Sequence, residues 1–373
     1  MVFSNSTTSN SRRKARRWAL LLGLVLLGLL LADAALLLYA RHRISPNSYV
    51  EDAPSKAEHM RLRLGGKRPD IVFVGSSRTL HHISSAVFEQ AGWTVYNYGI
   101  SGHQIVNYPF MAGAAADLKP TYVALGVTIS AFANPDIAVP SRPTLADLKA
   151  LYATGQPLGL LAATTGKWLA NLHLLNYYSQ VVNLRLRPLF ERLDVPLAPE
   201  PRRPAKPVDQ GERRAAPAPG AAAGTLPAQA APVPAPGDPC DCTPFERLTD
   251  KAGMRIVKCT NGDAILFGSF WVDGKDRSFT WKGFHEPYLA LLNHCLDLIR
   301  ARGARPVVIL EPFHRLRGDY DLAAIRKAVR APVLDFTRFP LPDALWADPG
   351  HLNNAGRLVF SRALAEAFAA LPR

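Results

Sequence analysis

The stretch Asp70-Ile71-Val72-Phe73-Val74-Gly75-Ser76-Ser77-Arg78 constrains the fold most. A short apolar run, mostly β-branched, leads straight into a glycine and two serines. A continuous run of this kind, bounded by a turn residue, predicts a buried strand of a parallel sheet. In open α/β sheets, ligands and reacting groups sit just beyond the carboxyl ends of such strands. Ser76 and Ser77 therefore stand where a nucleophile would be placed. The same letters also suit a plain strand-to-helix turn with a serine N-cap.

A second segment bears on that choice. Asp348-Pro349-Gly350-His351 puts a carboxylate and an imidazole three positions apart, just before a helical pattern. A serine hydroxyl is a weak nucleophile until an imidazole takes its proton, and the imidazole needs a partner to fix its tautomer. Together the two segments resemble the SGNH (GDSL-like) hydrolase and acyltransferase family. The resemblance covers residues 68–130 and 285–370. It implies Ser77 as nucleophile, being the third residue of the family's first block, with His351 as base and Asp348 as its orienting partner. Asn97-Tyr98-Gly99-Ile100-Ser101-Gly102 looks like the second block and assigns an oxyanion N–H to Gly102. The chain departs from the pattern twice. Gly126-Val127-Thr128 has Thr128 where the family's oxyanion Asn stands, and Ser76 replaces the usual Asp before the nucleophile.

From the N-terminus, Arg12-Arg13-Lys14-Ala15-Arg16-Arg17 precedes an almost wholly apolar run from Trp18 to Ala40 in which Asp33 is the only charge. At about 1.5 Å per residue such a run is long enough for a bilayer core of about 30 Å. It predicts one transmembrane helix over 18–40, a basic cytoplasmic tail over 1–17 and an exported remainder. The location so predicted is the inner (cytoplasmic) membrane, single-pass, with the C-terminal part periplasmic or extracellular. Ala32-Asp33-Ala34 also has the small-x-small pattern of a cleavable signal peptide. The net charge of +14 owes much to this flank. The remainder is only mildly basic and carries no aromatic-interleaved basic stripe, so nucleic acid is not an expected partner.

Residues 41–67 read as a connector. Beyond them, apolar runs around Trp93–Asn97, Thr121–Gly126, Pro306–Leu310 and Val333–Phe336 join the first strand. Helical patterns lie between them, which predicts a three-layer α/β/α fold with a doubly wound parallel sheet, the SGNH or flavodoxin-like class. Asn353–Leu371 is the closing helix. Residues 131–284 break the pattern and read as an insertion between two halves of one domain, 68–130 and 285–373. Within it, residues 196–239 are dominated by Pro and Ala and predict a disordered linker.

The four cysteines, 240, 242, 259 and 295, favour disulfides in an exported domain. Cys240 and Cys242 are too close to pair comfortably, so one of them is expected to bridge Cys259. A zinc site on these cysteines is the alternative, but C-x-C lacks the usual spacing; neither metal nor cofactor is expected. Cys295 falls in a helical pattern and reads as core. Glu311 and His314, at the end of the fourth strand, and Arg78, beside the nucleophile, are candidate substrate contacts. His81 and His82 read as helix-surface residues, and His103 as a loop residue near the site or simply solvated.

The expected activity is that of a serine esterase or O-acyltransferase. The resemblance implies an acyl-ester substrate on cell-surface polysaccharide and a membrane-bound acyltransferase as partner. The opposing class is a non-catalytic accessory protein that binds glycan or an assembly partner.

Overall fold

The computed structural model describes residues 16–29, 31–32, 35, 45–49, 51–133, 137–140, 142–172, 240–249, 254–269, 272, 275–281 and 283–372. Two units are distinguished, Met1–Leu169 with Pro236–Arg373, and Ala170–Ala235; the first carries the sheets and the candidate site. The Pro/Ala-rich segment 196–239 lies outside the described residues.

The elements run α1 (Ala53–Leu64), β1 (Ile71–Gly75), α2 (Ser77–His82), α3 (Ser85–Gln90), β2 (Val95–Gly99), α4 (Tyr108–Ala116), β3 (Tyr122–Val127), α5 (Leu145–Ala153) and α6 (Leu158–Leu172). After the undescribed stretch come β4 (Pro244–Thr249), β5 (Arg255–Cys259), β6 (Ala264–Phe267), β7 (Arg277–Ser278), α7 (Glu286–Ala301), β8 (Arg305–Leu310) and β9 (Leu316–Arg317). The chain closes with α8 (Leu322–Ala328), β10 (Val333–Asp335), β11 (Trp346–Asp348), β12 (His351–Leu352) and α9 (Asn354–Ala369).

Five strands form one parallel sheet in the order β10-β8-β3-β1-β2. Counting only its own strands, this is the doubly wound order 2-1-3-4-5, whose switch point lies between β1 and β3. Side chains alternate across the sheet, and both faces are buried. Val72, Val74, Tyr98 and Leu125 join the core under α1, α4 and α7. Ile71, Phe73, Ala124 and Ile309 face the opposite core with Phe88 of α3 and Phe360, Leu364 and Phe368 of α9. Burial on both faces explains why the strands read as unbroken apolar runs.

A smaller antiparallel sheet, β4-β5-β6, comes from the region expected to be an insertion. It is stapled by the Cys242–Cys259 disulfide, while Cys240 is free and Cys295 is buried in α7. Its turn meets the edge strand, the Asn97 N–H donating to the Asn261 carbonyl at 3.3 Å. Gly262 has φ +88°, and a Cβ there would lie 2.1 Å from the Asn97 carbonyl oxygen, so only glycine lets the turn approach. This small sheet belongs to the same unit as the parallel sheet.

The transmembrane helix expected over Trp18–Ala40 is not found: among the described residues no helix is long and apolar enough to cross a membrane. The longest continuous described helical run there covers residues 16–29. At about 1.5 Å per residue it reaches about 21 Å, short of a bilayer core of about 30 Å. Residues 30, 33–34 and 36–40 of the expected span lie outside the described residues.

Candidate active site

Three strands of the sheet end in or just after a glycine, and the short helix α2 comes down on those ends. A Cβ at Gly75 would lie 1.8 Å from Thr79 Oγ1, and one at Gly99 would lie 2.4 Å from the Leu80 backbone nitrogen. At Gly126 it would meet Thr79 Oγ1 and Glu311 Oε1 at 2.1 and 2.5 Å. The glycines therefore do more than end strands. They let α2 sit across the carboxyl edge at the switch point, with Thr79 donating to Glu311 Oε1 at 2.6 Å.

Ser76 caps α2, its hydroxyl accepting from the Arg78 N–H at 3.3 Å. Ser77 is the first helical residue, and its N–H has no intrahelical acceptor. Its Oγ lies 2.8 Å from His351 Nε2. His351 Nδ1 in turn lies 2.8 and 3.0 Å from the two carboxylate oxygens of Asp348. The Asp348 Oδ1 also accepts from the Gly350 N–H at 2.7 Å. Burial pushes the Asp348 carboxyl up, but the hydrogen bond and charge of His351, with the Gly350 N–H, hold it below its ordinary value. Asp348 is thus an anion suited to orienting an imidazole and stabilising its charged form.

The loop carrying Asp348 and His351 is tied to the helix carrying Ser77. Arg78 Nε donates to the Gly350 carbonyl at 3.1 Å, and His82 Nε2 lies 3.2 Å from the same oxygen. His81 Nδ1 lies 2.8 Å from the Ala264 carbonyl, and its ring stands edge-on to His351 at 5.4 Å. His81 and His82 are therefore buried, not the helix-surface residues expected. The reason is that α2 is covered on its far side by β6 and α9, which no local pattern announces. Burial first, and then the neighbouring His351, pulls His81 down to about 3 and His82 well below its ordinary value. Both stay neutral, so the Asp348 charge acts on His351 without a competing imidazolium beside it. A signal for His81 was present in the spacing, since Ser77 and His81 are one helical turn apart and share a face.

A cavity of about 330 Å³ opens beside Ser77 and His351, with Arg78, His103, Thr128 and Ser130 among its walls. Thr128, just after β3, borders it. Gly102 does not: it lies exposed in the turn after β2 at φ +74°, and His103 forms the wall instead. His103 is buried rather than solvated, because that turn folds inward. Its Nε2 has no partner among the described residues, and burial pulls the ring down to about 4, so it is neutral at pH 7.

The structure does not bring the other two candidates to the cavity wall. Glu311 is buried behind Gly126, and burial pushes its carboxyl up to about 7 against the opposing effects of Thr79 and Arg78. His314 is buried against Trp346 at 5.3 Å between ring centres, with Nε2 3.0 Å from Asp343 Oδ1. The sulfurs of Cys240, Cys242 and Cys259 cluster within 4.8 Å of one another, but two of them form the disulfide and are not free to ligate a metal.

What the assembled groups can do chemically is polarise a hydroxyl: a serine at a helix N-terminus, an imidazole on it, and a carboxylate behind the imidazole. Compared with known proteins, the chain matches no family model, no curated protein and no solved structure.

Proposed function

We propose that this chain is a serine esterase or O-acyltransferase of the SGNH type, acting on acyl esters. The observation that carries the reading is the hydrogen-bonded series from Ser77 Oγ through His351 to Asp348, with separations of 2.8 Å at each link, beside a cavity that Ser77 and His351 line. In this reading Ser77 Oγ attacks the ester carbonyl as His351 Nε2 takes its proton. Collapse of the tetrahedral intermediate expels the alcohol, which leaves with the proton from His351. Water or an acceptor hydroxyl, deprotonated by His351, then releases the acyl group from Ser77. The oxyanion is served by the Ser77 N–H and by the Thr128 hydroxyl, each donor contributing about 3 kcal/mol in sites of this kind. Gly102, away from the cavity wall, is not needed for that role.

The Cys242–Cys259 disulfide supports an exported setting, since such bonds persist in oxidising compartments. A cell-surface polysaccharide as acyl acceptor and a membrane-bound acyltransferase as donor partner fit that setting. The test is labelling of the full chain with a fluorophosphonate, which reacts with activated serines. Wild type is expected to label and Ser77→Ala is not. A folded wild type that stays unlabelled, together with full cellular function of Ser77→Ala, would sink the enzyme reading in favour of an accessory protein.

A further inference from the structure

Arg78 is more than a neighbour of the nucleophile. Its guanidinium lies over the Phe313 ring, 4.5 Å from the centre, and its Nε is committed to the Gly350 carbonyl. Stacking and that one bond fix the plane of the group, while it borders the cavity together with Ser77 and His351. Ion pairs are formed by many arginines of this chain, among them Arg302 with Asp117 and Arg357 with Asp263. No carboxylate of the described residues lies at ion-pair distance from Arg78. The two acidic groups nearest in effect are otherwise engaged: Asp348 holds His351, and Glu311 accepts from Thr79.

A half-buried cation that lacks an anion, held rigid at the wall of a cavity, is an incomplete interaction. The remaining N–H groups of a guanidinium form a planar fork that matches a carboxylate or phosphate. We propose that Arg78 is an anion subsite, and that the substrate is an acyl ester carrying a carboxylate or phosphate close to the scissile bond. This rests on the esterase reading and narrows its substrate class. A neutral ester fits the triad but leaves the cation unanswered.

The test compares phenyl acetate with 3-acetoxybenzoate and 4-acetoxybenzoate, which add a carboxylate to the alcohol side, and 4-nitrophenyl acetate with 4-nitrophenyl hemisuccinate, which adds one to the acyl side. For wild type, kcat/KM is expected to favour at least one charged ester by about tenfold or more, as a charge-assisted bidentate contact provides. Arg78→Gln is expected to collapse that ratio, and Arg78→Lys, which keeps charge but not the fork, to leave it intermediate. Inhibition of phenyl acetate turnover by succinate or by inorganic phosphate separates the two kinds of anion. If Arg78 served only to hold the Gly350 loop, both esters of a pair would slow equally and the ratio would not move. That result, or a wild-type ratio near one in both pairs, overturns the anion subsite and leaves the esterase reading standing. Should wild type turn over none of these esters, the fluorophosphonate label decides the enzyme reading, and titration of the full chain with phosphate and succinate by calorimetry decides the subsite alone. Wild-type binding that is lost in Arg78→Gln supports it, and absence of binding, or binding that survives in Arg78→Gln, overturns it. Because the wild-type measurements need no variant, a failure of Arg78→Gln to fold does not spare the proposal.

Discussion

Ser76 and Ser77 carry the same hydroxyl one residue apart, and their positions relative to α2 give them different work. The Ser76 hydroxyl accepts a helix N–H at the cap, so its loss costs the helix start about 1 kcal/mol and leaves the proton path intact. The Ser77 hydroxyl is the one within reach of His351. Ser76→Ala is therefore expected to label with fluorophosphonate at near wild-type extent, with a slightly lower melting temperature. Asp348→Asn keeps the shape of the loop but offers an amide to His351 Nδ1, which favours the wrong tautomer. Its expected cost is roughly a thousandfold or more in turnover, measurable with the same small esters. A loss below tenfold would mean that the contacts of Gly350 with Arg78 and His82 orient the imidazole without the carboxylate.

The element that joins these residues is the six-residue helix Ser77–His82, too short to hold its shape alone in water. Its carbonyls are satisfied from outside: Asn97 Nδ2 donates to Thr79 and Leu80 at 3.1 and 3.2 Å, and Ser361 Oγ to His82 at 3.2 Å. Asn97 also reaches Asp263 Oδ1 at 3.1 Å and accepts from the Gly99 N–H. Asn97→Ala strands several buried polar groups, each worth about 1–3 kcal/mol. The expected result in denaturant unfolding is a loss of about 2–4 kcal/mol with a parallel fall in labelling rate. Undiminished stability would show that water replaces the amide. The five strands, the glycines at their ends and the serine turn were legible in the sequence, because buried parallel strands write themselves as local apolar runs. The Asp348–His351 spacing was legible because three residues suffice to state it. The supports of α2 were not. Asp263 and Ala264 lie 166 and 183 residues from Asn97 and His81, which they contact, inside a stretch whose pattern differs from the rest of the domain. Arg357 and Ser361 look like ordinary positions on the closing helix. The membrane span expected from the apolar run at Trp18 rested on composition alone, and no described helix is long and apolar enough to cross a membrane.

At the scale of the whole molecule, distant segments are cross-linked around charges taken out of water. Arg357 Nη1 meets Asp263 Oδ2 at 3.2 Å with both side chains fully buried, and its Nη2 meets Asp241. Lys56 donates to the Gly99 and Gly262 carbonyls, both at 2.7 Å. Burial pulls Lys56 down to about 7 and pushes Asp147 and Glu311 up to about 7. Proton counting fixes the signs. Between their ordinary values near 4 and the folded value, the two carboxyls bind more protons in the folded state, so stability falls as pH rises through that window. Between about 7 and 10.5, Lys56 binds fewer protons folded than unfolded, so stability rises with pH there. Below pH about 6.5 the buried His59, His81, His82 and His103 act in the opposite sense, since they bind fewer protons folded than unfolded, so a substitution is needed to isolate the carboxyl contribution. Glu311→Gln isolates one contributor, because the amide oxygen can still accept from Thr79 while the side chain cannot ionise. At pH 5 Glu311 is largely protonated when folded, and little difference from the variant is expected. At pH 8 the wild type must ionise a carboxyl that has no cation at ion-pair distance among the described residues, and the variant is expected to be more stable by about 2–3 kcal/mol. Guanidinium unfolding of both proteins at the two pH values measures this. An equal pH dependence in the two would mean that Glu311 is ionised in the folded protein and paired with Arg78, which would leave Arg78 no unmet charge to offer a substrate.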